Sequence, residues 1–170
     1  MLLPKLNAEG FLAPESSPYP ATMEEIKELF VDQAPYQQRR AMIYRALHLF
    51  IDIVWETIPE ARFWINGGFT THKNWAAPED ADVVAIVPIK KLKLCLADSM
   101  LPLSTLQHVT AAQPNAQTLK LHPFGGLLDT FFIPDMPAQL RTWDDTWSKV
   151  KGPDRKIIAG KRKGYLEVTP

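Results

Sequence analysis

The chain has 170 residues, enough to bury one core and too few for two large domains. Nineteen Lys and Arg balance nineteen Asp and Glu, so no overall field draws it to nucleic acid or to an anionic membrane, and any basic recognition is local. No stretch approaches the roughly 18 apolar residues of a membrane span, and MLLPKLNAEGF lacks the apolar centre of a secretory signal, so the expectation is a cytoplasmic protein with no membrane partner.

The sequence divides into an extended N-terminal arm, residues 1–21, and a single domain, residues 22–170. The arm contains Pro4, Pro14, Pro18 and Pro20 and shows no sustained period, and its apolar residues suggest docking on the domain surface. Thr22 followed by Glu25 forms a capping-box signature ahead of a short helix, MEEIKELFV, with Glu24 and Glu25 suited to its positive N-terminus. After Pro35 a long helix is expected, ending near Pro59. Ile43, Leu47, Phe50, Ile51, Val54 and Ile58 recur at helical spacing, whereas Gln37, Arg39, Arg40 and Arg45 fall mostly off that stripe.

The period then changes. ARFWIN is rich in β-formers and stops at Asn66-Gly67-Gly68, residues that tolerate positive φ in a tight turn. The polar stretch TTHKNWAAPED follows. DVVAIVPI is a near-continuous β-branched run, as expected of a central strand covered on both faces. KKLKLCLADSM and LSTLQHVTAAQ are ambiguous and favour helix, while NAQTLKLHP and GLLDTFFIP read as two strands meeting near Gly125-Gly126. In PAQLRTWDDTWSKV, Pro137 suits the first helical position, and Leu140, Trp143, Trp147 and Val150 share one face. A basic segment and a last strand, KGYLEVT, close the chain. The fold class expected is α/β (α+β), a small mixed β-sheet flanked by helices.

Chemistry concentrates between Ile65 and Val87. Asp80 and Asp82 stand two apart at the start of an apolar strand, which points both carboxylates to one face. Like charges so close in a low-dielectric setting are costly unless a cation lies between them, and hard oxygen ligands suit Mg²⁺ or Mn²⁺. The alternative is that Glu79, Asp80 and Asp82 only solubilise a loop and strand entry. Gly67-Gly68, twelve residues upstream of Asp80, exposes backbone N–H groups and permits close approach by a triphosphate, although Asn-Gly-Gly also serves as an ordinary hairpin turn. Asp129 lies on another apolar strand and is either a third metal ligand or a salt-bridged residue.

A glycine turn, a spacer, a DxD strand and a further acidic strand together resemble the polymerase-beta-like palm of the nucleotidyltransferase superfamily, whose usual turn reads Gly-Ser. More narrowly, GGFTTHKNWAAPEDADVV resembles the core of an uncharacterised bacterial and phage family with the pattern Gly-Ser-Phe-(x)3-Lys, then Pro, then Asp-x-Asp. Gly67, Phe69, Lys73, Pro78, Asp80 and Asp82 match it position by position, and residues near 12–22 and 163–168 resemble its flanks. The resemblance implies an NTP substrate, with Gly67, Gly68, Phe69 and Lys73 binding the nucleotide. Asp80, Asp82 and Asp129 would be catalytic carboxylates holding Mg²⁺ or Mn²⁺. The implied reaction moves an NMP to an RNA, protein or small-molecule acceptor, in a toxin–antitoxin or phage-defence setting. Gly68 stands where the pattern has Ser, removing a hydroxyl that would contact phosphate. A catalytically impaired relative acting as an antitoxin or inhibitor is therefore the alternative.

Other residues have plainer readings. His72 reads as surface; Trp75 either stacks on a base or packs against the rim. Lys151, Arg155, Lys156, Lys161, Arg162 and Lys163 either meet a nucleotide or RNA backbone or form a solvated connector, the reading favoured. Trp143 and Trp147 read as core, and Cys95, the sole cysteine, as a buried thiol in a reducing compartment.

Overall fold

A computed structural model describes residues 3–14, 17–111, 116–154 and 156–170. Its main sheet is ordered β1 (Tyr19–Pro20), β9 (Leu166–Val168), β2 (Arg62–Asn66), β3 (Ala81–Val87) and β6 (Leu128–Pro134). The sheet is mixed: β2 runs antiparallel to β3 and β9, while the pairs β3–β6 and β1–β9 are parallel. Helices flank it, and the expected α/β class with a small mixed sheet holds. Among the described residues no helix is long and apolar enough to cross a membrane.

The two faces of β3 explain its unbroken apolar sequence. Val83, Ala85 and Val87 enter the main core, whereas Val84 and Ile86 enter a second core on the opposite face. The main core lies under α1 (Met23–Lys27) and α2 (Gln37–Thr57). The capping box starts α1 as expected, with Thr22 Oγ1 accepting from Glu25 N–H at 3.2 Å and Glu25 Oε2 from Thr22 N–H at 3.0 Å. Phe50 on α2 is fully buried and meets Phe63 edge to face at 5.9 Å. Burial of a side chain of that size contributes about 2–3 kcal/mol. The second core lies under α4 (Pro137–Trp147), where Leu140, Trp143 and Trp147 pack with Trp64 and Tyr165 as the helical spacing predicts. Val150 is buried too, but from a strand, because α4 ends at Trp147.

Several elements differ from expectation. The first helix continues through Glu28–Asp32 as a π-helix. KKLKLCL forms most of a 3₁₀ helix, Ile89–Leu96. LSTLQHVTAAQ supplies a strand instead of a helix: β4 (Leu106–Ala111) pairs antiparallel with β5 (Ala116–Leu121), and that pairing outweighs a weak helical tendency. Residues 112–115 lie outside the described residues, as does Arg155. One turn, α3 (Pro123–Gly126), separates β5 from β6. The basic connector is itself a hairpin, β7 (Lys149–Lys151) against β8 (Ile157–Arg162).

The arm docks. Leu12 is fully buried, its carbonyl accepts from Gly164 N–H at 2.8 Å, and β1 lies parallel to β9 along the sheet edge. Arg40, placed off the apolar stripe by its spacing, is fully buried, and it organises the turn described next.

Candidate functional site

β2 ends at Asn66, and Gly67 turns the chain with φ +88°. A Cβ there would lie 2.2 Å from Asp82 Oδ2, so position 67 admits only glycine both for its backbone and for its neighbour. The following loop is held from beneath by Arg40. Its guanidinium donates to the carbonyls of Phe69 and Thr71, each at 2.5 Å, of Pro35 at 2.7 Å and of Phe30 at 3.1 Å. Burial lowers its pKa to about 10, so it stays charged and supplies the donors these buried carbonyls require.

Gly68 is different. Its φ is unexceptional, and an added Cβ would meet Pro78 Cβ at 3.6 Å, an ordinary contact. Phe69 is fully buried beside Phe30 and Arg40, which corrects its expected place among nucleotide ligands: it anchors the loop from below. His72, expected at the surface, is half-buried with Nε2 2.8 Å from the Leu29 carbonyl. Trp75 is 63% exposed.

The three acids meet at the opposite side of that turn. Asn66 pairs in register with Asp82 on β3, and Asp82 with Asp129 on β6. Asp82 and Asp129 therefore leave the sheet on the face of the second core, just beyond the cover of α4. Asp80 enters from the loop before β3. His122, from the end of β5, stands between two of them, with Nδ1 3.8 Å from Asp80 Oδ2 and 3.9 Å from Asp129 Oδ1. Lys120 Nζ lies 3.2 Å from Asp129 Oδ2.

This side is electrostatically unfinished. Burial and then the charges of Asp82 and Asp129 push the Asp80 carboxyl up to about 6. Burial raises Asp82 also, against the pull of Lys163. Among the described residues, His122 Nδ1 and Asp129 Oδ1 are the buried side-chain polar atoms without a hydrogen-bond partner. A carboxylate oxygen without a hydrogen-bond partner, Asp129 Oδ1, beside raised carboxyls is the donor chemistry a hard divalent cation takes. As placed, however, no three His, Cys, Asp or Glu side chains among the described residues are gathered closely enough to hold an ion. Asp82 and Asp129 are adjacent in backbone register, and a common ligand would need their side chains and that of Asp80 to turn toward one another.

On the other side of Asp82 lies a cavity of about 230 Å³. Gly67, Gly68 and Thr71 form one wall, α4's end with Trp147 another, and Lys73, Lys149, Lys151 and Lys163 bring four amines to it. Asn66 Nδ2 donates to the Trp147 carbonyl at 2.8 Å and fixes that wall. Lys163 Nζ donates to the Gly67 carbonyl at 3.0 Å and Thr71 Oγ1 at 3.4 Å. Burial lowers its pKa to about 8, opposed by Asp82, and leaves it a cation at neutral pH. Backbone turn, lysines and carboxylate thus converge on a volume suited to a small polyanion.

The structure brings Asp80, Asp82, Asp129, Gly67, Gly68 and Lys73 to one locus, adds Arg40, His122 and Lys149, which sequence reasoning did not place there, and adds Lys151 and Lys163, for which the reading as a solvated connector was favoured. Arg40 and Lys163 were hidden among charged residues with no spacing to mark them as buried, although the Lys163-Gly164 pair in the motif's flank was a pointer. His122 and the β7 lysines depend on pairings that no local pattern announces.

The fold and site define an α/β protein with a carboxylate face joined to a lysine-lined cavity through a glycine turn. Residues 4–169 match the model of a family of unknown function, DUF6932, and the chain belongs to that family. No curated protein and no solved structure matches the chain.

Proposed function

We propose that this protein is a divalent-metal-dependent nucleotidyltransferase. The supporting observation is the register that sets Asp82 beside Asp129 and against the Cβ-less surface of Gly67, with the lysine-lined cavity on the far side of Asp82. In this reading the triphosphate of an NTP lies over Gly67 and Gly68. An acceptor hydroxyl on RNA, protein or a small molecule attacks the α-phosphorus, the bond from that phosphorus to the α–β bridging oxygen breaks, and pyrophosphate leaves. Asp80, Asp82 and Asp129 would hold Mg²⁺ or Mn²⁺, which when bound offsets phosphate charge and lowers the acceptor hydroxyl's pKa. The lysines bind and orient the anion, and the Asp129 carboxylate takes the proton that the attacking hydroxyl loses. A reducing cytoplasmic setting accords with the free, buried Cys95, and toxin–antitoxin or phage-defence biology follows the family resemblance.

A second reading is favoured by two observations: Gly68 offers no hydroxyl, and the carboxylates are not gathered into a chelate. In it the protein binds nucleotide and inhibits a partner without turnover. Incubation with each α-phosphate-labelled NTP, Mn²⁺ or Mg²⁺, and total tRNA or lysate separates the two. Catalysis predicts label transfer that falls by about 10³-fold or more in Asp82→Ala and in Asp80→Ala. Metal-dependent NTP binding without transfer supports the second reading, and absence of NTP binding removes both.

A further inference from the structure

The four amines of the cavity are not equivalent. Lys149 Nζ is engaged by Asp145 Oδ2 at 2.6 Å, Lys151 is exposed on β7, and Lys73 rides on the loop after Gly68, half-buried. Lys163 alone of the four is buried. Its backbone N–H donates to the Ser148 carbonyl at 2.8 Å and the next residue's to the Leu12 carbonyl at 2.8 Å. Gly164 allows that closeness, because a Cβ there would sit 2.5 Å from the Ala13 carbonyl oxygen. The ammonium is thus aimed before any ligand arrives, and it loses little rotamer freedom on binding. Two of its three N–H groups go to Gly67 and Thr71, and the third is the one that an anion in the cavity would take, beside the Asp82 carboxylate that lines the same cavity.

We propose that Lys163, rather than the motif lysine Lys73, is the principal binding residue for the phosphate chain in this cavity. The assignment rests on the nucleotide reading above and deepens it. A desolvated, fixed cation makes stronger charge-assisted bonds to phosphate oxygens than a half-solvated loop amine, which stays free to reorient in water. It also accounts for a glycine at position 68: the donor that Ser would supply from the loop is replaced by one reaching Gly67 from the far end of the chain.

Calorimetry with inorganic tripolyphosphate, in the presence and absence of Mg²⁺, tests this on the full chain. The expected result is about 30-fold weaker binding in Lys163→Gln and only about threefold in Lys73→Gln. Lys163→Met, with melting temperatures for every variant, separates lost binding from lost folding. If transfer activity is found, Lys163→Gln should raise KM for the NTP about tenfold with a smaller change in kcat. The proposal is overturned if tripolyphosphate does not bind the wild type, if Lys73→Gln is the more damaging change, or if Lys163→Gln alters only melting temperature and leaves affinity intact. Tripolyphosphate binding through Lys163 with no label transfer to any acceptor would overturn the enzyme reading and keep this one. Transfer with an unchanged KM in Lys163→Gln would do the reverse.

Discussion

Asp82 separates two regions that are completed to different degrees. Toward β6, Asp80, Asp129 and His122 crowd together with two buried polar atoms unpaired and an Asp80 carboxyl raised to about 6. Toward the glycine turn, Lys163 is bonded twice, Thr71 Oγ1 and Asn66 Nδ2 have partners, and the cavity wall is fixed. The contrast teaches that the lysine side is already closed by hydrogen bonds within the fold, while the acidic side keeps His122 Nδ1 and Asp129 Oδ1 without them. Burial penalises both charges, lifting the carboxyls and lowering Lys163 to about 8, but the ammonium has hydrogen-bond acceptors in place whereas Asp129 Oδ1 has no donor.

The largest expected effect comes from the boundary between the two. Gly67→Ala places a methyl 2.2 Å from the present position of Asp82 Oδ2 at φ +88°. We expect a loss of about 2–3 kcal/mol, or about 5–10 °C in melting temperature, together with loss of any label transfer. An unchanged melting curve would mean that this turn does not set the position of Asp82.

A smaller effect sharpens the acidic side. Asp80 titrates near 6 in the fold against an ordinary 3.8, so the folded chain holds this proton more tightly than the unfolded one. Its contribution is present below about pH 4 and is lost as pH rises through about 6. Asp82 shifts in the same direction, while Glu24, Glu60 and Asp145 shift oppositely, so the informative quantity is a difference. Between pH 4.5 and 7.5 the wild type should lose about 1–2 kcal/mol relative to Asp80→Asn, with screening allowed for, and Mn²⁺ should restore part of it. Parallel melting temperatures for the two proteins across that range would show that the carboxyls are not crowded.

The smallest effect concerns the departure from the motif. Gly68→Ser fits against Pro78 at 3.6 Å, so melting should change by less than about 0.5 kcal/mol, while NTP affinity should rise a few-fold from the added donor. Weaker affinity in Gly68→Ser would show that the cavity is already filled by the Lys163 arrangement and has no use for the hydroxyl.

Much of this was legible in the residues. The β-branched run of β3, the Thr22–Glu25 cap and the Trp face of α4 follow from spacing and turn chemistry, because each is a local pattern, whereas the grouping of Gly67, Asp80, Asp82 and Asp129 was suggested by a family resemblance. What escaped depends on long-range pairing. LSTLQHVTAAQ becomes a strand through its partner β5, and Arg40 is buried because carbonyls 29 and 31 residues away need donors. Phe69 matched a motif position, yet the match recorded a core anchor. A pattern preserves where a residue stands in the chain and not the direction in which it points.

The seating of β9 between β1, to which it is parallel, and β2, to which it is antiparallel, has a consequence for biosynthesis. Residues 166–168 complete the sheet, and the segment leading into them carries Lys163 beneath the Gly67 turn. A ribosome making this polypeptide emits the glycine turn and all three acids long before the residues that finish the anion side. Until residues 163–168 are added, the Gly67 turn lacks the Lys163 amine beneath it and the sheet lacks the strand between β1 and β2, so the turn and the sheet edge are finished together.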